Sequence, residues 1–244
     1  MILNEIQLQK NIEIVEALIK WRSITLDTLK VISNIDDSKG ALRKRILRME
    51  EGGLLRAKIQ RGCNKIIYPS SELLHRFGIE SFSEENVRHD SIVSMIGVSL
   101  KDFSMVKMVK LPHEFQTKAS WKYHPIVPDA IVEIEKNKNL IRAAIEVELW
   151  RKDRKRVFEK LLDYSKAYEY QNVFYFFADR PSFESYKKRL FEMLSDSKLS
   201  HLKEELEKKF VLVFNSSLGK RIIGLEQSEV YHDLKTKKLK DLIL

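Results

Sequence analysis

A single cysteine, Cys63, stands in the 244 residues, so no disulfide can close within the chain and no zinc site can be built on cysteine. No apolar run approaches the roughly 18–20 residues needed to span a bilayer, so no membrane segment is expected. The opening stretch MILNEIQLQKN is polar and lacks a cleavage-site pattern, which argues against a secretory signal. These absences together lead us to expect a cytoplasmic protein. Internal repeats and low-complexity tracts are also missing. What remains is an ordinary globular composition, 43% hydrophobic and 32% charged, with enough chain for one large domain or two modest ones.

What is plentiful is positive charge. The formal net charge is +9. A polyanion is the natural partner, because each phosphate that a lysine or arginine neutralises releases condensed counterions. A solvated basic surface would have the same composition. The excess is shared along the chain, +4 up to His75 and +5 beyond it, so position matters more than the total.

From Asn4 to Trp21 the residues Ile6, Ile12, Val15, Leu18 and Ile19 suggest one buried helical face. A short second helix is expected over Ile24 to Ile32, capped by Ser23 or Thr25. A third, Lys39 to Glu51, has Ser38 as its N-cap and is expected to bury Leu42, Ile46, Leu47 and Met49. It ends at Gly52-Gly53, where a left-handed cap costs little. Extended runs over 54–59 and 64–68, around a turn at Gln60 to Cys63, read as a hairpin. Three helices and a hairpin, with the stretch Ala41 to Leu55 running through Glu-Glu-Gly-Gly-Leu-Leu, resemble a winged helix-turn-helix. That resemblance implies double-stranded DNA as partner, with Arg43, Lys44, Arg45, Arg48, Arg56, Lys58, Arg61 and Lys65 as the basic surface. A docking or dimerisation module with solvated cations is the alternative.

A connector with one short helix covers 69–79, and the domain boundary is expected between 70 and 83. A helix then runs from an N-cap at Ser83 to about Leu100, with Val87, Ile92, Met95, Ile96 and Ser99 inward. A strand follows at Met105 to Leu111, then an irregular stretch from Pro112 to Pro125. The segments Ile126 to Ile134 and Leu140 to Leu149 are extended around a turn. Centring that hairpin between Asn137 and Lys138 sets Asp129 opposite Glu146, Ile131 opposite Ala144 and Glu133 opposite Arg142. One face is then apolar from Ala130 to Leu149, and the other carries Asp129, Glu146 and Glu148. A slip of one residue would drop the acids into the core, so the register is constrained. Clustered carboxylates repel unless a cation lies among them, and hard oxygen donors suit Mg²⁺ or Mn²⁺. The alternative is an exposed polar face on which nearby Arg or Lys neutralises Glu148.

Pro128-Asp129, sixteen residues, then Glu146-Val147-Glu148 and a basic amphipathic helix resemble the PD-(D/E)XK nuclease superfamily over roughly 85–180. The resemblance implies Asp129 and Glu146 as metal ligands, helped by the Val147 carbonyl. This sequence departs from the motif by placing Glu148 where its lysine stands. Lys160, on the helix expected from Asp153 to Tyr170, is the replacement candidate, and a phosphate contact or solvated charge is its other reading. Arg88-His-Asp90, Pro128-Asp-Ala130 and Lys160-Leu-x-x-Tyr164 further resemble the replication-relaxation and mobilisation-type proteins of plasmids and other mobile elements. In that resemblance His89 would face the acids; a helix-surface histidine is the alternative.

The remainder reads as scaffold. It comprises a buried strand Asn172 to Ala178, helices Ser182 to Leu194 and Lys198 to Lys209, and a strand Phe210 to Phe214. Tyr164, Tyr168 and Tyr170 are assigned to packing rather than base stacking. The tail, Val230 to Leu244, is expected to be an amphipathic helix or a partner-binding arm. The expected fold is α+β to α/β: a winged helix over 1–75 and a restriction-endonuclease-like mixed sheet flanked by helices over 83–244. The functions in play are a DNA-binding protein of mobile-element type using an inactive or weakly active nuclease fold, which Glu148 favours, a metal-dependent endonuclease, and a protein adaptor. A homodimer or a larger nucleoprotein assembly fits the first two.

Overall fold

Ile14, Leu18 and Trp21 recur at helical spacing and form the inner face of α1 (Glu5–Trp21). Ile12 lies about 160° round the helix from Ile14 at the helical repeat, and is 40% exposed. The expected face of Ile6, Ile12, Val15, Leu18 and Ile19 therefore gives way to one centred on Leu18, with Ile6 also exposed.

The computed structural model describes residues 5–33, 35–59, 65–79, 83–115, 126–220 and 224–243. The chain divides into two compact units, Met1–Val98 with Gly219–Ile222, and Ser99–Leu218 with Ile223–Leu244.

In the first unit α1 leads to β1 (Ile24–Thr25), α2 (Leu26–Ile32), α3 (Lys39–Glu51), β2 (Leu55–Lys58), β3 (Ile66–Pro69) and α4 (Ser71–Arg76). Thr25 caps α2 and Ser38 caps α3, each side-chain oxygen accepting from a free N–H of the first turn. Gly53, at φ 72°, closes α3 in the left-handed region. The three strands order as β1-β3-β2, all antiparallel. The first twelve residues of α5 (Val87–Leu100) belong to this unit. The Ser94 hydroxyl donates to the Trp21 carbonyl at 2.6 Å, and Ser23 donates to that of Val87 at 2.9 Å. Val87, Ile92, Met95, Ile96 and Ser99 are buried as expected, but α5 begins four residues after Ser83, whose hydroxyl accepts from Glu85 N in a preceding turn.

The second unit is mixed α and β: a seven-stranded sheet flanked by helices, in the order β10-β9-β8-β7-β6-β5-β4. Its elements are β4 (Val106–Lys110), α6 (Pro112–Phe115), β5 (Ala130–Lys136), β6 (Asn139–Glu148), α7 (Arg154–Lys166), β7 (Asn172–Phe177), α8 (Arg180–Leu194), α9 (Lys203–Lys209), β8 (Phe210–Phe214), β9 (Glu229–His232), β10 (Lys235–Lys238) and α10 (Leu239–Ile243). β6, β7 and β8 run parallel, and the flanking pairs are antiparallel. Successive crossovers of one hand lay α7 and α8 on the same face, over a core of Tyr164, Tyr175, Phe177, Phe183, Tyr186 and Phe210.

Three expectations are corrected in this unit. The tail is neither a helical arm nor free, because Val230 and Tyr231 pair with β8 and β10 closes back through Asp233 and Leu234, both at positive φ. The helix expected up to Tyr170 ends at Lys166, which leaves Tyr168 78% exposed rather than packed. The helix expected over 198–209 is a 3-10 turn, Ser197–Leu202, followed by α9. Among the described residues no helix is long and apolar enough to cross a membrane.

Candidate active site

The β5–β6 hairpin turns at Asn137 and Lys138, whose φ values of 51° and 64° give the twist a two-residue turn requires. Lys136 pairs with Asn139, Glu133 with Arg142, Ile131 with Ala144 and Ala130 with Ile145. This is the expected register, and one step further it sets Asp129 beside Glu146. The Val147 N–H donates to Asp129 Oδ2 at 2.7 Å, which ties the aspartate just ahead of β5 to the middle of the acidic strand end. In the parallel neighbour Glu146 lies beside Tyr175 and Glu148 beside Phe177, so the acid face is also the face that α7 and α8 cover. Glu146 and Glu148 are each 1% exposed. The face is thus covered rather than exposed, while the other half of that alternative, Glu148 neutralised by lysine, is met.

Buried carboxylates need partners, and the crossover supplies them. Lys160, in the second turn of α7, places Nζ 2.6 Å from Glu146 Oε2 and 3.3 Å from Glu148 Oε1. Lys152 reaches back four residues to Glu148, 2.6 Å from Oε2. One turn beyond Lys160, the fully buried Tyr164 hydroxyl donates to Glu146 Oε1. Burial, with Asp129 adding like charge, pushes the Glu146 carboxyl up to about 7 against the pull of Lys160 and Tyr164. Burial alone would lower the Lys160 ammonium; Glu146, Glu148 and Asp129 outweigh it and hold it above its ordinary value. Tyr164 is raised by burial and then by Glu146.

Two further hydroxyls are buried here. Tyr175 has no hydrogen-bond partner among the described residues. Tyr186 lies against Glu148, whose charge and hydrogen bonding add to burial in raising it. Asp129, Glu146, Glu148 and Lys160 are thus brought together within the second unit. Lys152 and Tyr186 join them without having been singled out, and Tyr164, expected to pack and part of the Lys160-Leu-x-x-Tyr164 resemblance, joins them as a hydrogen-bond donor; the i, i+4 spacings Glu148–Lys152 and Lys160–Tyr164 were the local signals. His89 belongs to the other unit, where its Nδ1 lies 3.3 Å from Asp90 Oδ1 on its own helix.

No group of three His, Cys, Asp or Glu side chains among the described residues forms a ready cage for a metal ion. A Mg²⁺ site needs less, because one or two carboxylates with water and substrate phosphate suffice. Asp129 and Glu146 are such a pair by chemistry: hard oxygen donors, adjacent across the hairpin, with three carboxylates against two ammonium groups in the cluster. The donor set fits.

The cationic residues of the first unit separate into groups. Arg43, Lys44 and Arg48 are exposed on α3, and Lys58 is exposed on β2. Arg56 and Lys65 are exposed but ion-paired, to Glu84 at 2.5 Å and Glu50 at 2.8 Å. Arg61 lies outside the described residues. Arg45 is corrected: it is buried, with Nε and Nη2 on Asp37 at 3.1 and 3.0 Å, Nη1 on Asn11 at 3.1 Å and Nη2 on Gln7 at 2.7 Å. Leu47, expected in the core, takes an outward position and is 49% exposed, since it lies about 140° round α3 from Leu42.

No family model, curated protein or solved structure matches the chain.

Proposed function

We propose that the chain is a DNA-binding protein whose second unit is a PD-(D/E)XK-type endonuclease dependent on Mg²⁺ or Mn²⁺, brought to double-stranded DNA by a winged helix in the first unit. The observation that carries this reading is Lys160 between Glu146 and Glu148. The motif's lysine is missing from β6, and an ammonium from α7 stands at the acids instead.

Asp129 and Glu146, with the Val147 carbonyl, would hold the ion. When bound, it supplies positive charge to the scissile phosphate and lowers the pKa of a coordinated water. The Val147 N–H fixes Asp129 and Tyr164 fixes the second oxygen of Glu146, so neither carboxylate has to be ordered when substrate arrives. Lys160 keeps its proton through the working pH range and offers charge to the phosphate. For the first unit, the order α1-β1-α2-α3-β2-β3, the sheet β1-β3-β2 and the exposed Arg43, Lys44 and Arg48 support a groove-entering α3. A relation to the replication-relaxation and mobilisation-type proteins of mobile elements belongs to the same proposal.

A second reading, a DNA-binding protein with a silent nuclease fold, is favoured by the closure of both glutamates by lysines. Nicking of supercoiled plasmid with Mg²⁺ or Mn²⁺ separates the two. The endonuclease nicks, and Asp129→Ala and Glu146→Ala do not. A salt-dependent gel shift without nicking supports the second reading, and no shift at all leaves neither.

A further inference from the structure

The loop between Glu148 and α7 carries a large, mostly solvent-exposed ring. Trp150, two residues past Glu148, is 64% exposed. The loop is pinned at both ends. Lys152 folds back onto Glu148, and Asp153 caps α7 by accepting from Arg156 N at 2.9 Å. Trp150 therefore sits on the short span between an anchored acid and its anchored lysine, within chain reach of the acid–lysine cluster.

After it in the chain come Arg151, Lys152, Arg154, Lys155 and Arg156, with Asp153 the sole acid of 151–156. Lys152 is engaged by Glu148, Arg154 by Glu192 at 3.3 Å and Lys155 by Glu159 at 3.8 Å. Arg151 and Arg156 have no ion-pair partner among the described residues. An exposed tryptophan followed in the chain by two exposed guanidinium groups, neither with an ion-pair partner among the described residues, is complementary to a chain that alternates flat aromatic faces with phosphates. Stacked bases in a duplex hide those faces, and an unpaired strand offers them.

We propose that this loop is a platform for unpaired nucleotides: Trp150 stacks on a base, Arg151 and Arg156 hold the flanking phosphates, and the site next to it takes single-stranded or locally unpaired DNA. The assignment of the substrate rests on reading the acid–lysine cluster as a phosphodiester site; the binding claim can be tested apart from it.

The test uses the full chain without divalent metal and a dT oligonucleotide of about 12 nucleotides, read by fluorescence anisotropy and tryptophan emission. Trp150→Ala is expected to weaken dT binding about tenfold while duplex affinity stays within about twofold. Trp150→Phe, which keeps a ring, should retain most of the affinity and lose the quenching of tryptophan emission. Replacing Arg151 and Arg156 by Ala should flatten the salt dependence by about 1.4 in log–log slope. Equal dT binding by wild type and Trp150→Ala, or quenching that persists in Trp150→Phe, overturns the proposal and leaves the loop as a protein contact. Asp129→Ala keeps the two ideas apart, since it should abolish nicking and leave dT affinity unchanged. If wild type never nicks but Trp150 still governs dT binding, the nuclease reading fails and the platform stands.

Discussion

Replacing Lys160 by Met tests the electrostatics of the cluster without any assumption about catalysis. The ammonium bridges Glu146 at 2.6 Å and Glu148 at 3.3 Å, and both carboxylates are almost wholly buried. Removing one partner of a buried pair costs about 3–5 kcal/mol, and with the Lys160 side chain 26% exposed the lower end applies, about 3 kcal/mol. In a unit of this size that lowers Tm by about 10 °C. The loss has a pH signature. Glu146 is pushed up to about 7 with Lys160 beside it, and it rises further without it. A carboxyl raised in the folded state holds its proton more tightly folded than unfolded, so stability falls as pH rises through the window between its unfolded and folded values. At about pH 6 Glu146 is mostly protonated in both proteins and adds little difference; at about pH 8.5 it is ionised in wild type and uncompensated in the variant. Melting followed by circular dichroism in a chelating buffer should therefore show a large gap at the higher pH and a smaller one at the lower. A gap independent of pH, or a Tm within about 2 °C of wild type at the higher pH, would refute this account of the cluster.

Arg45→Ala removes the hub joining Asp37, Asn11 and Gln7 and should cost about 3 kcal/mol in melting, whereas Arg43→Ala should leave Tm unchanged and reduce the salt slope of DNA binding by about one. The reverse pattern would return Arg45 to the DNA surface. Asp37 is held below the usual carboxylate range by the Lys10 hydrogen bond and by Arg45, against the pull of burial. Its contribution is present above its unfolded value of about 3.9 and is lost as pH falls through the folded value, so Asp37→Asn should flatten the acid limb of the first unit's stability profile. Tyr164→Phe strips Glu146 of a buried donor; a stability loss of about 1–2 kcal/mol and slower nicking are expected, and unaltered melting together with unaltered nicking would count against the positioning role.

The hairpin that builds the site was legible because it rests on parity. Once Asn137 and Lys138 are the turn, every opposition from Lys136–Asn139 to Ala130–Ile145 follows, and the acids must share a side. The caps at Thr25, Ser38 and Gly53 were legible for a similar reason, since local chemistry decides them. Helix faces were less so. On α3 an arginine took an inward place and a leucine an outward one, because the angle round the helix decides the face and Asp37, Asn11 and Gln7 were there to satisfy the guanidinium. The tail's Lys-rich composition hid a hairpin, since Val230 and Tyr231 find their partners in β8 and not in neighbouring sequence.

The surroundings of the acids were the hardest part to read, and the reason lies in topology. Lys152, Lys160 and Tyr164 come to Glu146 and Glu148 only because the chain leaves β6 through α7 and returns in parallel as β7. One clue was nevertheless present. Val173, Tyr175 and Phe177 alternate with Phe174 and Phe176, so β7 is apolar on both faces and must be covered on both. A strand paired to it in register cannot leave its glutamates on open surface, because the layer that covers Tyr175 also covers Glu146. Two carboxylates under such a layer must neutralise or find cations. The crossover is the nearest segment able to supply them, with Lys152 in the loop that leads to α7 and Lys160 on α7 itself, because both positions reach back to the strand the chain has just left.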